Sequence, residues 1–231
     1  MVETKSSYEK DEKSEKNDKV IIQSYYIVQY LMVCSLIIII LLSFFITDPN
    51  IQPIMYLEIF ITAVSSTLYT IFINKIQKYE DTKKSINWND ISKTRYWGWT
   101  FTTPAMLIVL CLVLGINSKI AVDFWTVFSV ILLDMIMLLT GYLGESNILD
   151  RITAMGLGFI PFLAMFSIIY MKFIQPKSIW FNNLLFIAYL LFWTIYGIVF
   201  IFDEKYKNIV TNILDFIAKG LIGLGISFYY L

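Results

Sequence analysis

Asp215 and Lys219 stand four residues apart in a largely apolar stretch near the end of the chain. On a helix that spacing puts both on one face, a turn apart. A helix beginning near residue 208 and rising ~1.5 Å per residue carries Lys219 roughly 16 Å inward. An amine beside a carboxylate at that depth has two uses. It can fix helix packing as a buried ion pair, or it can condense with a carbonyl ligand as a Schiff base whose protonated imine the carboxylate keeps charged. Glu58, Arg95 and Asp134 also lie inside apolar stretches, where a charge is costly enough to make each a functional candidate.

The elements that must position these groups follow from composition. Of the 231 residues, 58% are hydrophobic and 16% charged, against ~45–50% and ~25% in an ordinary soluble domain. With a mean hydropathy of +0.67, a soluble globule is excluded. Lysine and arginine balance aspartate and glutamate at 18 each, so no basic field recruits nucleic acid. Histidine is absent, which removes Ser-His-Asp and Cys-His catalysis and the usual zinc sites; neither an enzyme nor a metal site is expected. Cys34 and Cys111 fall in apolar runs, as small buried hydrophobes do. Residues 1–19 alternate lysine with aspartate and glutamate and read as a disordered polar tail. Residues 20–231 form one domain of seven apolar segments, at about 20–47, 53–76, 93–116, 120–142, 150–172, 177–202 and 208–231. Each is near the ~20 residues that a bilayer core demands. The expected fold is an all-α membrane protein, a seven-transmembrane-helix bundle embedded in lipid. The one long connection, 77–92, is polar and has room for a hairpin.

The third segment reads Arg95-Tyr96-Trp97-Gly98-Trp99-Thr100-Phe101-Thr102-Thr103-Pro104. It resembles the retinal-pocket motif of microbial (type 1) rhodopsins, Arg-Tyr-x-x-Trp-x-x-Thr-Thr-Pro, and Asp215-x-x-x-Lys219 on the seventh segment resembles the family's lysine site. Asp134, Met137 and Gly141 on the fourth segment, Arg151 at the head of the fifth, and Trp193 with Tyr196 on the sixth agree in type and spacing. The resemblance implies all-trans retinal bound covalently as a protonated Schiff base on Lys219, with Asp215 as counterion compensated by Arg95. It implies that Trp99 and Trp193 sandwich the polyene, that Tyr196 donates to Asp215, that Thr103 bonds a neutral Asp134, and that Met106 lines the pocket.

The chain departs from the family's outward proton pumps where those carry an acceptor and a donor carboxyl. Here the positions hold Gly98 and Val109, with Thr102 between them. Asp215 is then the sole counterion, and a neutral space beside the imine, flanked by Thr102 and backed by Arg95, is suited to an anion. Gly197 and Met155 also replace the proline and the ring-packing tryptophan usual in the family. On the second segment Glu58, Thr62, Ser65 and Tyr69 fall at i, i+4, i+7 and i+11, one polar stripe able to line a hydrated path. Asn208, Asn212, Asp215 and Lys219 make another on the seventh. These features point to a retinal photoreceptor that admits ions passively under light, anions such as chloride first. A sensor signalling to a transducer and a light-driven chloride pump are the alternatives, and a homo-oligomer is left open. Family topology puts the N-terminus outside, whereas the clustering of lysine on the tail side favours the reverse.

Overall fold

The computed structural model describes residues 2–231, with side chains from Asp18 onward. The polar tail expected over 1–19 lies almost wholly outside the described side chains. Among the described residues, seven helices are long and apolar enough to cross a membrane. They are α1 (Val2–Ser43, of which Asp18–Ser43 is the apolar span), α2 (Gln52–Asp81), α3 (Trp88–Ser118), α4 (Phe124–Glu145), α5 (Arg151–Ile174), α6 (Trp180–Val199) and α7 (Glu204–Tyr229). The chain is an integral multi-pass membrane protein.

Aspartates start three of the helices. Asp123, Asp150 and Asp203 each accept hydrogen bonds from backbone N–H groups of the first turn of α4, α5 and α7, offsetting donors that have no partner within the helix. Proline opens α2, where its missing N–H costs nothing. The connection expected at 77–92 is much shorter. Polar residues extend α2 to Asp81, and the Asn87 side chain accepts from Asp90 N to begin α3 at Trp88. Helix ends that project past the hydrocarbon can be polar without ceasing to be helical, so the polarity marked the membrane boundary rather than a hairpin.

The largest cluster of buried side chains runs along α3, with Met106, Leu110 and Leu114 meeting Phe162 and Phe166 of α5 and Tyr189 and Trp193 of α6. Outward faces carry apolar groups such as Phe44, Trp97, Leu163 and Trp180. This inverts the pattern of a soluble protein and suits contact with lipid tails. Two helices change pitch. α5 ends in a π-helical turn, Tyr170–Ile174, and α7 is π-helical over Phe216–Leu221, the turn that carries Lys219. Single π turns within α-helices recur at functional sites.

Candidate functional site

Lys219 Nζ pairs with Asp215 Oδ1, and both side chains are almost fully buried. The same oxygen accepts from Tyr196 Oη at 2.9 Å and from Trp99 Nε1 at 3.2 Å. The second carboxylate oxygen accepts from Arg95 Nη1 at 2.9 Å and from Tyr69 Oη at 3.0 Å. Donors from α2, α3, α6 and α7 therefore converge on one carboxylate. Arg95 is itself caged. Its Nη2 donates to Tyr25 Oη at 2.6 Å and to Asn212 Oδ1, while the Tyr25 and Phe72 rings each lie 5.0 Å from its guanidinium carbon. Tyr25 in turn donates to Asn208 at 2.7 Å. The centre holds two cations and one carboxylate, a net excess of one positive charge.

A cavity of about 140 Å³ opens beside Lys219. That is room for about ten water-sized spheres, or roughly 300 Å³ as liquid, the lower end of pockets that take a drug-sized ligand. Trp99, Thr103, Met106, Met137, Gly141, Trp193 and Tyr196 line it with Lys219 at one end. The Trp99 ring lies 5.6 Å from Lys219 Nζ and meets Tyr196 edge-on at 5.5 Å. At Gly141 a Cβ would lie 2.8 Å from Tyr96 Oη, so glycine lets that ring close the wall. Asp134 is buried behind Thr103 and is not itself part of the lining. Thr103 Oγ1 lies 2.7 Å from Asp134 Oδ2 and 2.9 Å from the Trp99 carbonyl. One hydroxyl proton cannot serve both oxygens; both contacts are met when Asp134 is the neutral acid and donates to Thr103.

A family model described as bacteriorhodopsin-like protein matches residues 20–229. The chain belongs to the bacteriorhodopsin-like family. The crystal structure of viral rhodopsin OLPVRII is similar, with a TM-score of 0.84 and 27% identity over 91% of this chain and 97% of that one. Thermophilic rhodopsin (TM-score 0.76, 19% identity, 92% of each chain) and the light-driven chloride pump halorhodopsin (0.71, 16%, 90% of this chain and 94% of that one) share the fold. No curated protein sequence matches the chain significantly. As a microbial rhodopsin it binds retinal through a Schiff base to a lysine.

The residues present in this rhodopsin fit that group. An apolar cavity walled by two indoles ends at a buried amine with a carboxylate in contact, which is what a long polyene with one cationic end requires. Of the two departures from the family pattern, the one at Gly197 is compensated. A Cβ on Gly197 would lie 2.8 Å from Phe159 Cζ, and Phe159 and Met155 both line the cavity. An aromatic of α5 thus takes the room left on α6.

The ion-pathway residues are not all brought together. The neutral space expected at Gly98 is not open, because the Leu68 side chain of α2 fills it: a Cβ on Gly98 would lie 2.9 Å from Leu68 Cδ2, with Cδ1 nearer still. Thr102 is fully buried and donates to the Gly98 carbonyl at 3.1 Å. Glu58 and Ser65 are buried on α2 and do not line the cavity. Beyond Arg95 the cavity continues past Ser92 and Thr211 to Glu145 and Lys207. There the buried Lys207 Nζ donates at 2.8 Å to Glu145 and at 2.8 Å to Glu204, and Arg151 donates at 2.7 Å to Glu204. Sequence reasoning passed over this closure, and over Tyr25, because Glu145 sits in turn-like punctuation and Tyr25 among many tyrosines. The polar stripe Asn208, Asn212 and Asp215, at i, i+4 and i+7, was the available signal for Tyr25, whose partner is Asn208.

Proposed function

We propose that this rhodopsin is a light-gated conductance for anions, with Lys219 as the retinal lysine and Asp215 as its single counterion. The observation that carries the reading is the charge count at the centre: Arg95 and Lys219 face one carboxylate, and nothing negative stands at Gly98. A buried excess of positive charge attracts anions and repels cations. The retinal, when bound, supplies light absorption and a light-driven change of shape at the Lys219 nitrogen.

The chain's own residues convert that change into access. Asp215 holds the positive end of Lys219 in the dark, and Trp99 and Tyr196 keep the carboxylate oriented toward it. Leu68 fills the place beside Gly98 where an anion would rest, so the dark protein holds no ion there. This favours admission through a gate over a pump that is preloaded with its ion. Movement of Leu68 would join the chamber beyond Arg95 to the polar stripe of α2, Glu58, Thr62 and Ser65. In this reading the N-termini of α1, α3, α5 and α7 face the outside. The test is the photocurrent of retinal-supplied cells under voltage clamp with external chloride varied. A current whose reversal potential follows chloride supports the proposal. A current of one sign at all potentials means a pump, and no current from a coloured, membrane-inserted protein means a sensor; either overturns it.

A further inference from the structure

Buried hydroxyls elsewhere in the bundle, such as those of Thr62, Thr102 and Ser227, each donate to the carbonyl one turn back in their own helix. Ser92 of α3 and Thr211 of α7 are buried to a similar degree, at 5% and 6% exposed, and make no such bond. Both line the lobe of the cavity beyond Arg95, and so does the buried Tyr96. None of the three hydroxyls has a hydrogen-bond partner among the described residues. Helical spacing puts them there. Ser92 and Tyr96 stand at i and i+4 on α3, and Lys207, Thr211 and Asp215 at i, i+4 and i+8 on α7, so two polar faces border one space.

The charges around that space do not cancel. Arg95 borders it toward Lys219, and Lys207 borders its far end. Glu145 is the one carboxylate in the lining among the described residues, and its Oε1 already accepts from Lys207 Nζ at 2.8 Å and from Asn89 Nδ2 at 3.0 Å. The far cluster is balanced, with Lys207 and Arg151 against Glu145 and Glu204. The near one is not, with Arg95 and Lys219 against Asp215 alone. Water would satisfy the three hydroxyls and leave the charge uncompensated. A monovalent anion meets both needs, whereas a divalent one overshoots the charge.

We propose that this chamber is a binding site for one small monovalent inorganic anion, of halide or nitrate size, and that it is filled in the dark. Ser92, Tyr96 and Thr211 donate to the ion, while Arg95 and Lys207 supply the field. The site is distinct from the place beside Gly98, which Leu68 occupies. The Arg95–Asp215 pair stands between the chamber and Lys219, so filling the chamber leaves the visible band where it is. Its role as the place where the conducted ion waits until Leu68 moves rests on the anion reading above.

The experiment needs no light. The purified protein in lipid nanodiscs is titrated in the dark with chloride against gluconate at constant ionic strength, and the width of the chloride magnetic resonance line is followed, because exchange with a buried site broadens it. Saturable broadening that bromide and nitrate compete away, and sulfate does not, is the expected result. Ser92→Ala combined with Thr211→Val removes two donors with little change of volume and should weaken binding at least about tenfold, the worth of one hydrogen bond to a charged group. Ser227→Ala, which removes a buried hydroxyl in the other half of the bundle, should bind as the unaltered protein does. No saturable broadening, broadening that sulfate competes away equally, or broadening undiminished in a folded Ser92→Ala, Thr211→Val variant overturns the site. The photocurrent separates this from the reading beneath it. A current that follows chloride in a protein with no dark binding overturns the site alone, and dark binding in a protein whose current ignores chloride keeps the site and overturns the conductance.

Discussion

Leu68→Ala tests whether the place beside Gly98 is a plugged anion seat. Truncation empties the volume of an isopropyl group, room for about two waters. Leu68 is half-buried, so the loss of stability should fall at the low end of the Leu→Ala range, about 2–3 kcal/mol, which a bundle of this size can bear. One net positive charge at about 4 Å attracts an anion by roughly 4 kcal/mol at the effective dielectric of a protein, equivalent to a Kd of about 1 mM. Part of that is spent stripping water from the ion, so binding should be seen over about 1–100 mM chloride. The assay is a titration of the visible absorption band with chloride against a bulky anion at constant ionic strength. The variant should show a saturable, chloride-dependent band shift, and the unaltered protein none. A variant that keeps its colour and ignores chloride would falsify the plugged seat, as would an equal shift in the unaltered protein.

Asp215→Asn leaves Arg95 and Lys219 without a carboxylate and should destabilise the protein by about 3–5 kcal/mol. At neutral pH it should also replace the visible band by near-ultraviolet absorption, and a retained visible band would show that another carboxylate compensates Lys219. Outside the membrane, the Lys172 ammonium and the Thr126 hydroxyl bonded to Asp123 hold its carboxyl well below the usual range. A lowered carboxyl contributes stability above its ordinary value, about 3.9, and loses it as pH falls toward the lowered one. Asp123→Asn should therefore bleach at a lower temperature at pH 7 and show a flatter decline below about pH 4; thermal bleaching across that range checks it.

The bundle was legible in the sequence because hydrocarbon thickness imposes a length on every spanning element, and the seven apolar segments match the seven helices to within a few residues at most ends. Trp99, Thr103 and Met106 could be grouped in the sequence because i, i+4, i+7 spacing puts them on one face of α3, and the structure brings that face and Lys219 around one cavity. What stayed hidden depends on neighbours distant in sequence. Gly98 looks like a void until Leu68 of α2 is seen to occupy it. Glu145 and Lys207 are ordinary boundary charges until the bundle places them 2.8 Å apart. In sequence Glu58 reads only as the first member of a polar stripe on α2. Gly223, on a helix more than 150 residues later, is what buries it.

The cage around Arg95 has a mechanical consequence. Its guanidinium is tied to Tyr25 of α1, Tyr69 of α2, and Asn212 and Asp215 of α7. A single side chain of α3 thus acts as a cross-brace for four helices, and tilting any one of them breaks bonds to a buried cation. α4, α5 and α6 have no share in that brace. The molecule is therefore built as a stiff frame with a looser wing. A hinge that spares the brace must open along the seams between α3 and α4 and between α6 and α7, and the second of these is spanned at Asp215 by the hydroxyl of Tyr196.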